Sequence, residues 1–327
     1  MKIAIVGCGA LGSYYGARLS NAGHETHFLL RSDFDTVSRD GVQVRSDIPG
    51  ETFSARPHVA RTPEEIGVCD LVIVAIKTTA NESLRNSIPP LSGAHTAVLT
   101  LQNGLGNEEL LATLVKSEQV LGGLCFVSLN RIAPGVILHL NGARILMGEF
   151  QRRPSERTHQ IADALRSAGI PCDVADDLAL AHWLKLVWNI SFNGLGVAAA
   201  AGAEAVESGI LDPAKPLLPC RTTDQLLQDP MWRGWVREVM DEVIAGAHAL
   251  GLQIDPEYAP SEIERTFGMG KYRPSTLVDF ERGSPLELDS LFLEPLRQAR
   301  AAGAEMPRVE KLCRLLQSLD QRRRSAV

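Results

Sequence analysis

The first half of the chain alternates short apolar runs with segments of helical period. Lys2–Val6 and Glu25–Leu30 are typical of β-strands, and Ala10–Asn21 between them is typical of a helix. Two further runs, Asp70–Ile76 and Ala97–Leu101, are compact and apolar, as expected of strands that are covered on both faces. This β-α-β order predicts a parallel, doubly wound sheet.

The pattern changes further along the chain. Three runs separated by turn residues are predicted to extend the sheet with antiparallel strands: Val120–Ser128, Gly135–Leu140 and Arg144–Gly148. The later segments are longer and helical in period, and we predict helices at 177–200, 231–250, 286–302 and 307–323. The expected architecture is an α/β N-terminal Rossmann-type dinucleotide-binding domain, residues 1–172, and an all-α C-terminal domain, residues 173–327.

Composition and charge exclude several classes of function. The 327 residues carry a formal net charge of −6, so we expect no general binding to nucleic acid or to an anionic membrane. The six cysteines are scattered without a CxxC pair, which favours reduced thiols in a cytoplasmic protein over disulfides or a zinc site, and we expect no metal. The most apolar long segment, 178–201, contains His182 and Lys185 and is a poor membrane span, and we expect no signal peptide.

A glycine-rich stretch, Gly7-Cys8-Gly9-Ala10-Leu11-Gly12, follows the first strand and opens the first helix. Gly7 permits a tight turn, Gly9 lets the backbone approach a pyrophosphate, and Gly12 lets the helix pack closely on the strand. The amides of the helix N-terminus then face the phosphates. This context favours a dinucleotide site formed by all six residues over an incidental strand–turn–helix.

The end of the second strand predicts which dinucleotide binds. An Asp or Glu there would hold the ribose 2′-hydroxyl of NAD, whereas Arg31 offers a charged donor fork to the 2′-phosphate of NADPH, and Ser32 can add a hydroxyl. The alternative is a solvated arginine. Lys77 and Asn103 follow two further strands and are expected to touch the cofactor or the substrate, because ligands bind outside the carboxyl ends of such strands. Taken alone, Asn103-Gly104 is also typical of a simple turn.

A polar stripe interrupts the most apolar helical segment. Lys185, Asn189 and Asn193 are spaced i, i+4, i+8 and therefore share one face of a helix that is otherwise surrounded by large apolar residues. Because an unpaired buried ammonium is costly, the stripe is expected to face a polar cleft, with a structural salt bridge as the alternative. A lysine beside a nicotinamide suggests carbonyl reduction, since it can stabilise and protonate the oxygen when hydride adds to the carbon.

The ordered set of these features resembles the ketopantoate reductase (2-dehydropantoate 2-reductase) family over nearly the whole chain. The set comprises GCGALG, Arg31, Lys77, Gln102-Asn103-Gly104, the stripe from Lys185 to Asn193, Pro274-Ser275 and Glu287. The resemblance implies a two-domain enzyme of pantothenate biosynthesis that uses NADPH to reduce a small-molecule 2-keto acid, ketopantoate, to the 2-hydroxy acid pantoate. It also suggests a homodimer.

The resemblance further implies roles for individual side chains. Lys185 is expected to be the general acid, Ser275 to contact the substrate carboxylate, and Glu287 to bind the substrate hydroxyl, help hold the site and lie against the cofactor. Three asparagines are expected to orient the substrate and the lysine: Asn103, Asn189 and Asn193. Without the resemblance, Ser275 is typical of a helix N-cap and Glu287 of a surface carboxylate.

The chain departs from the family pattern around Ser275 and Glu287. The family usually continues after the glutamate with Ile-Asp-Tyr-Ile-Asn-Gly, whereas here 288–293 is Leu-Asp-Ser-Leu-Phe-Leu, and 276–278 is Thr-Leu-Val. Because lost hydrogen-bonding groups can change specificity strongly, another, more apolar 2-keto acid is a candidate substrate. Two other readings stay open: a reductase that acts on an imino acid, and a non-catalytic NADPH-binding sensor.

Overall fold

A computed structural model describes residues 1–325. The chain divides into two compact units, Met1–Leu178 and Ala179–Val327. None of the helices in the described part is both long enough and apolar enough to cross a bilayer.

The first unit contains one ten-stranded sheet. Its strands are β1 (Lys2–Val6), β2 (Glu25–Leu29), β3 (Val42–Ser46), β4 (Phe53–Ala55), β5 (His58–Ala60), β6 (Leu71–Val74), β7 (Ala97–Thr100), β8 (Val120–Ala133), β9 (Val136–Glu149) and β10 (Cys172–Val174). Its α-helices are α1 (Ala10–Asn21), α2 (Phe34–Asp40), α3 (Pro63–Ile66), α4 (Leu84–Ser87), α5 (Asn107–Ala112) and α6 (Glu156–Ser167). Short 3-10 helices occupy Thr78–Ser83, Pro89–Leu91 and Ser117–Gln119.

The sheet has a parallel core and a mixed extension. Its strand order is β4-β3-β9-β8-β7-β6-β1-β2-β5, with β10 paired to β9. From β8 through β5 all neighbours are parallel, which confirms the predicted doubly wound arrangement, and β9 runs antiparallel to β8. The prediction of three separate runs beyond 120 was wrong, because they form two long strands whose register shifts at several irregularities.

Both faces of the central strands are buried. In β1, Ile3 and Ile5 join the cluster that includes Tyr14 and Tyr15 of α1, whereas Ala4 and Val6 join a second cluster with Leu84 of α4. Full burial of each large aliphatic side chain contributes about 1.5–3 kcal/mol. This two-sided burial explains why these strands have continuous apolar sequences and were recognisable. The strands β3, β4, β5 and β10 were not predicted, because they are short and lack the continuous apolar runs of β1, β6 and β7.

The second unit is helical. It contains α7 (Leu178–Ala198), α8 (Ala203–Ser208), α9 (Thr223–Gln228), α10 (Pro230–Ala249), α11 (Tyr258–Phe267), α12 (Ser275–Arg282), α13 (Glu294–Ala301) and α14 (Pro307–Arg324). The helices predicted at 177–200, 231–250 and 307–323 are confirmed. The segment predicted as one helix at 286–302 instead enters a π-helical turn at Asp289–Leu293 before α13.

Helix α7 packs against several other helices of this unit through small residues. A β-carbon at Gly246 of α10 would lie 3.2 Å from the Trp183 ring, and one at Gly194 would lie 2.6 Å from Leu312 of α14 and 3.0 Å from Phe292. These close approaches leave no room for larger side chains. The contacts with α10, α14 and Phe292 fix the position of α7 and thereby set the orientation of its polar stripe.

Candidate functional site

The glycine loop after β1 has the geometry of an anion cradle. Gly7 has φ +102°, and a β-carbon there would lie 2.3 Å from the amide nitrogen of Ile76. A β-carbon at Gly12 would lie 2.2 Å from the carbonyl oxygen of Gly7, so both positions require glycine.

The mouth of this loop is open. At Gly9 no described atom lies within 4 Å of the β-carbon position, and Gly9 begins α1 without a side-chain cap or an acidic residue in the first turn. The first-turn amides of Ala10 and Leu11 therefore stay available to an anion. The loop fits the pyrophosphate of a dinucleotide on steric and electrostatic grounds.

The side chain of Cys8 points into the protein. Its thiol lies 3.5 Å from the carbonyl oxygen of Ile5 and 3.7 Å from that of Leu29, at the end of β2. Burial, reinforced by the negative charge of Asp33, raises the pKa of this thiol well above its usual value. Cys8 thus stays protonated, and only its backbone is offered to a ligand.

The predicted cofactor residues of this unit lie along one edge of the sheet. The glycine loop, Arg31, Lys77 and Asn103 follow β1, β2, β6 and β7, which are consecutive neighbours in the order β7-β6-β1-β2. Because these strands are parallel, their carboxyl ends meet at the same edge.

A buried amide network joins the segments that carry Lys77 and Asn103. Gln102 Nε2 donates to the carbonyl oxygen of Ile76 (3.1 Å) and to Asn81 Oδ1 (2.7 Å), while its Oε1 accepts from Thr100 (3.0 Å). Asn81 lies on the 3-10 helix after Lys77 and donates to Asn107 Oδ1 (3.3 Å). Asn107 in turn donates to the carbonyl oxygen of Asn103 (3.2 Å). This network was not predicted, although a glutamine just after an apolar strand was a signal for it.

Replacing Gln102 with leucine should lower the free energy of unfolding by about 2–4 kcal/mol, because several buried polar groups lose their partners. Urea unfolding would measure the change. Gln160→Leu on the exposed face of α6 is the matched control and should change stability by less than about 0.5 kcal/mol. Equal stabilities of the two variants would contradict a structural role for the network.

Asp33, an acidic residue that was not predicted to have a role, lies two positions after Arg31. Arg31 and Ser32 are exposed, but the side chain of Asp33 is only 7% exposed. Arg131 of β8 donates from Nε to Asp33 Oδ2 (2.9 Å) and from Nη2 to Oδ1, while Ser32 donates to Oδ1 (3.0 Å) and the Gly135 amide to Oδ2 (3.2 Å). Burial acts to raise the pKa of Asp33, but these hydrogen bonds outweigh it and hold the pKa below its usual value.

The polar stripe of α7 lies in the second unit. Lys185 is partly buried, whereas Asn189 and Asn193 are buried, with Asn193 only 2% exposed. Asn193 Oδ1 accepts from the amide of Thr276 (3.0 Å) and from the Ser275 hydroxyl (3.4 Å). The structure therefore brings together two residues that the family resemblance had placed at the substrate.

The N-cap reading of Ser275 was wrong. Pro274 precedes α12 as its N-cap residue, and Ser275 is the first helical residue. The cap is supplied from another helix, because Asn193 accepts the amide hydrogen of Thr276 in the first turn. This arrangement ties the start of α12 to the polar stripe.

Glu287 lies just before the π-helical turn and is partly buried. Its carbonyl oxygen accepts from Leu291 (3.3 Å), and the neighbouring Leu286 amide donates to Asp320 Oδ1 (3.3 Å). Such π-helical turns often occur at functional sites. Phe292, one of the residues that depart from the family pattern, is completely buried against Gly194 of α7.

The chemistry that these residues offer is distributed over the two units. The first presents an anion cradle and basic side chains, and the second presents one amine with carboxamide, hydroxyl and carboxylate groups. Within residues 1–325 no group of three or more His, Cys, Asp and Glu side chains could hold a metal ion.

Models of one family match most of the chain. Residues 3–152 match the family described as ketopantoate reductase PanE/ApbA, and residues 208–320 match its C-terminal family. The chain is 37% identical to a 2-dehydropantoate 2-reductase of Nostoc sp., over 99% of this chain and 97% of the relative.

Two solved structures extend this likeness. A 2-dehydropantoate 2-reductase from Geobacter metallireducens is 43% identical, with a TM-score of 0.87 over 97% of this chain and 99% of that one. Another, from Methylococcus capsulatus, is 29% identical, with a TM-score of 0.85 over 99% and 98% of the two chains.

Proposed function

This chain belongs to the ketopantoate reductase family, and we propose on that premise that it reduces ketopantoate to pantoate with NADPH. The observation that carries the assignment of residues is the contact of Asn193 with Ser275, which joins the lysine stripe of α7 to the start of α12. It supports a substrate site in which the Ser275 hydroxyl lies beside α7, the helix that bears the proposed proton donor Lys185.

The reaction needs a hydride, a proton and a carbonyl group in a fixed arrangement. When bound in the glycine loop, NADPH would supply the hydride for the new C–H bond at C2 of the keto acid. The electron pair of the C=O π bond moves to oxygen, and the Lys185 ammonium transfers a proton to that oxygen, which yields the hydroxyl group of pantoate. The lysine then regains a proton from solvent. General acid catalysis of this kind contributes about 10²–10⁴-fold.

The residues of the first unit are proposed to hold the cofactor. The open loop from Gly7 to Gly12 would take the pyrophosphate on its backbone amides, as its steric fit supports. The guanidinium of Arg31 would bind the 2′-phosphate. Lys77 and Asn103, which the amide network connects, would orient the nicotinamide end and the substrate.

The residues of the second unit are proposed to hold the substrate. Ser275 would donate to the carboxylate, and Asn189 and Asn193 would orient the substrate and the amine of Lys185. Glu287 would accept a hydrogen bond from the substrate hydroxyl and lie against the cofactor. The departures from the family pattern weigh little against ketopantoate, because Phe292 and Leu277 are buried and pack against glycines of α7.

A substrate panel tests this assignment. With NADPH, the kcat/KM for ketopantoate should be at least about 100-fold higher than that for 3,3-dimethyl-2-oxobutanoate, which lacks only the hydroxyl group. The analogue leaves a polar partner in the site without its hydrogen bond. Steady-state rates of NADPH oxidation at 340 nm measure the ratio.

In the variant Glu287→Met this ratio should shrink, because methionine has no oxygen to accept a hydrogen bond from the substrate hydroxyl. If the wild type used the dimethyl analogue, or a longer apolar keto acid, as well as ketopantoate, the substrate would be a more apolar 2-keto acid. If activity required ammonia with the keto acid, the chain would instead be a reductase of an imino acid.

We also propose a cytoplasmic location and a homodimer. The six cysteines, all within residues 1–325, form no disulfide with one another. Burial raises the pKa of Cys69 and Cys220 to about 11 and that of Cys172 and Cys313 to about 12, so these thiols stay protonated at neutral pH. Thiols of this kind suit a reducing compartment. Sedimentation equilibrium would test the dimer.

A further inference from the structure

Asp33, the acidic residue that follows β2, has no hydrogen-bond acceptor capacity left for a ligand. A carboxylate offers about four lone-pair sites, and each oxygen of Asp33 already accepts two hydrogen bonds. In many enzymes that bind NAD, an acid about 20 residues after the glycine motif accepts from the ribose hydroxyl. Asp33 stands at this spacing from the loop, but its oxygens are occupied from within the protein.

The partners of Asp33 come mainly from a distant part of the chain. Arg131 lies at the end of β8, and Gly135 lies in the turn before β9; both are about a hundred residues away in sequence. A bidentate arginine–carboxylate pair is among the strongest and most directional in proteins. Asp33 is the N-cap residue of α2, yet its side chain makes no capping hydrogen bond there. The carboxylate is thus committed to Arg131 rather than to its own helix.

The pair of Asp33 with Arg131 also changes the net charge beside the end of β2. A phosphate monoester carries about −1.5 to −2 charges at neutral pH, and an uncompensated carboxylate two residues beyond Arg31 would repel it. The guanidinium of Arg131 compensates that carboxylate. Arg31 and Ser32 meanwhile remain exposed at the end of the same strand.

We propose that Asp33 and Arg131 are positioning residues for cofactor specificity: Arg131 withdraws the acid after β2 from the ribose and neutralises it, so that this edge of the sheet selects NADPH over NADH. The inference rests on the proposed use of NADPH. It assigns part of that preference to a pair that need not touch the cofactor, in addition to the direct contact from Arg31.

The experiment measures binding to the full-length protein by isothermal titration calorimetry. The ligands are NADPH, NADH, adenosine 2′,5′-bisphosphate and 5′-AMP. In Arg131→Met the released carboxylate should lower the ratio of Kd(NADH) to Kd(NADPH) by about 10–100-fold, and the bisphosphate should lose affinity relative to 5′-AMP. Because the Arg131 side chain is 40% exposed, the effect should shrink at high salt. Arg131→Gln keeps one donor and serves if the methionine variant does not fold.

Two further variants separate charge from structure. The double variant Asp33→Asn/Arg131→Met removes the released charge and should return the ratio to within about threefold of wild type. Arg144→Met, which breaks the 3.2 Å pair of Arg144 with Asp173 elsewhere in the same unit, is the matched control and should leave the ratio unchanged.

Each other outcome overturns the proposal. An equal loss of affinity for both dinucleotides in Arg131→Met would mean that the pair only stabilises the fold. A double variant that stays unselective would mean that Arg131 itself contacts the phosphate. If the wild type bound NADH as tightly as NADPH, the cofactor assignment would fail together with the inference, and this result appears before any variant is made.

Discussion

Replacing Lys185 with alanine is expected to lower kcat for ketopantoate by about 10²–10⁴-fold, while the Kd for NADPH stays within about threefold of wild type. The amine is the proposed proton donor to the oxygen that gains negative charge, so its loss affects the transition state rather than cofactor binding. Steady-state kinetics and a fluorescence titration with NADPH would measure the two quantities.

Three controls sharpen this prediction. Lys215→Ala removes an exposed lysine that pairs with Glu204 in the same unit and should leave kcat unchanged. Lys185→Arg retains the charge but not a readily lost proton, and should stay impaired. Added ethylamine should restore part of the rate of Lys185→Ala. Loss of less than about tenfold in Lys185→Ala would rule out a general acid at this position.

Replacing Gly9 with aspartate is expected to raise the Kd for NADPH by about 10²–10³-fold without loss of stability. The β-carbon would enter open space, so the fold has room for the side chain. Aspartate is also a favourable N-cap residue for α1 and would satisfy its first-turn amides, which keeps or raises the melting temperature. The same carboxylate would oppose a pyrophosphate, and like charges in contact cost several kcal/mol.

Gly9→Ser separates the steric from the electrostatic part of this effect. Serine also caps a helix but carries no charge, and its Kd for NADPH should rise by only about tenfold. Calorimetry of binding and thermal unfolding of both variants would provide the measurements. Unchanged NADPH affinity in Gly9→Asp would show that the pyrophosphate does not lie on the start of α1.

Local patterns made part of this protein readable from its sequence. The strand–loop–helix from Lys2 to Asn21 was predicted with its observed bounds, because apolar periodicity and the steric demands of Gly7 and Gly12 act between near neighbours. The common face of Lys185, Asn189 and Asn193 follows from helical geometry alone. The strands β3, β4, β5 and β10, the π-helical turn at Asp289–Leu293 and helices such as α9 were not predicted, because such short segments of mixed polarity carry weak local signals.

The sequence by itself thus determined the architecture of the first strands and helices, the family, and which residues are candidates for chemistry. Only the tertiary structure decided how those side chains are partnered. Ser275 meets Asn193 across 82 residues, and Asp33 meets Arg131 across 98. No local rule anticipates such hydrogen bonds, because they depend on how distant segments pack. Because of that packing, Ser275 contacts Asn193 instead of capping its own helix. The same packing buries Asp33, whose spacing from the glycine motif resembles that of an acid that binds ribose.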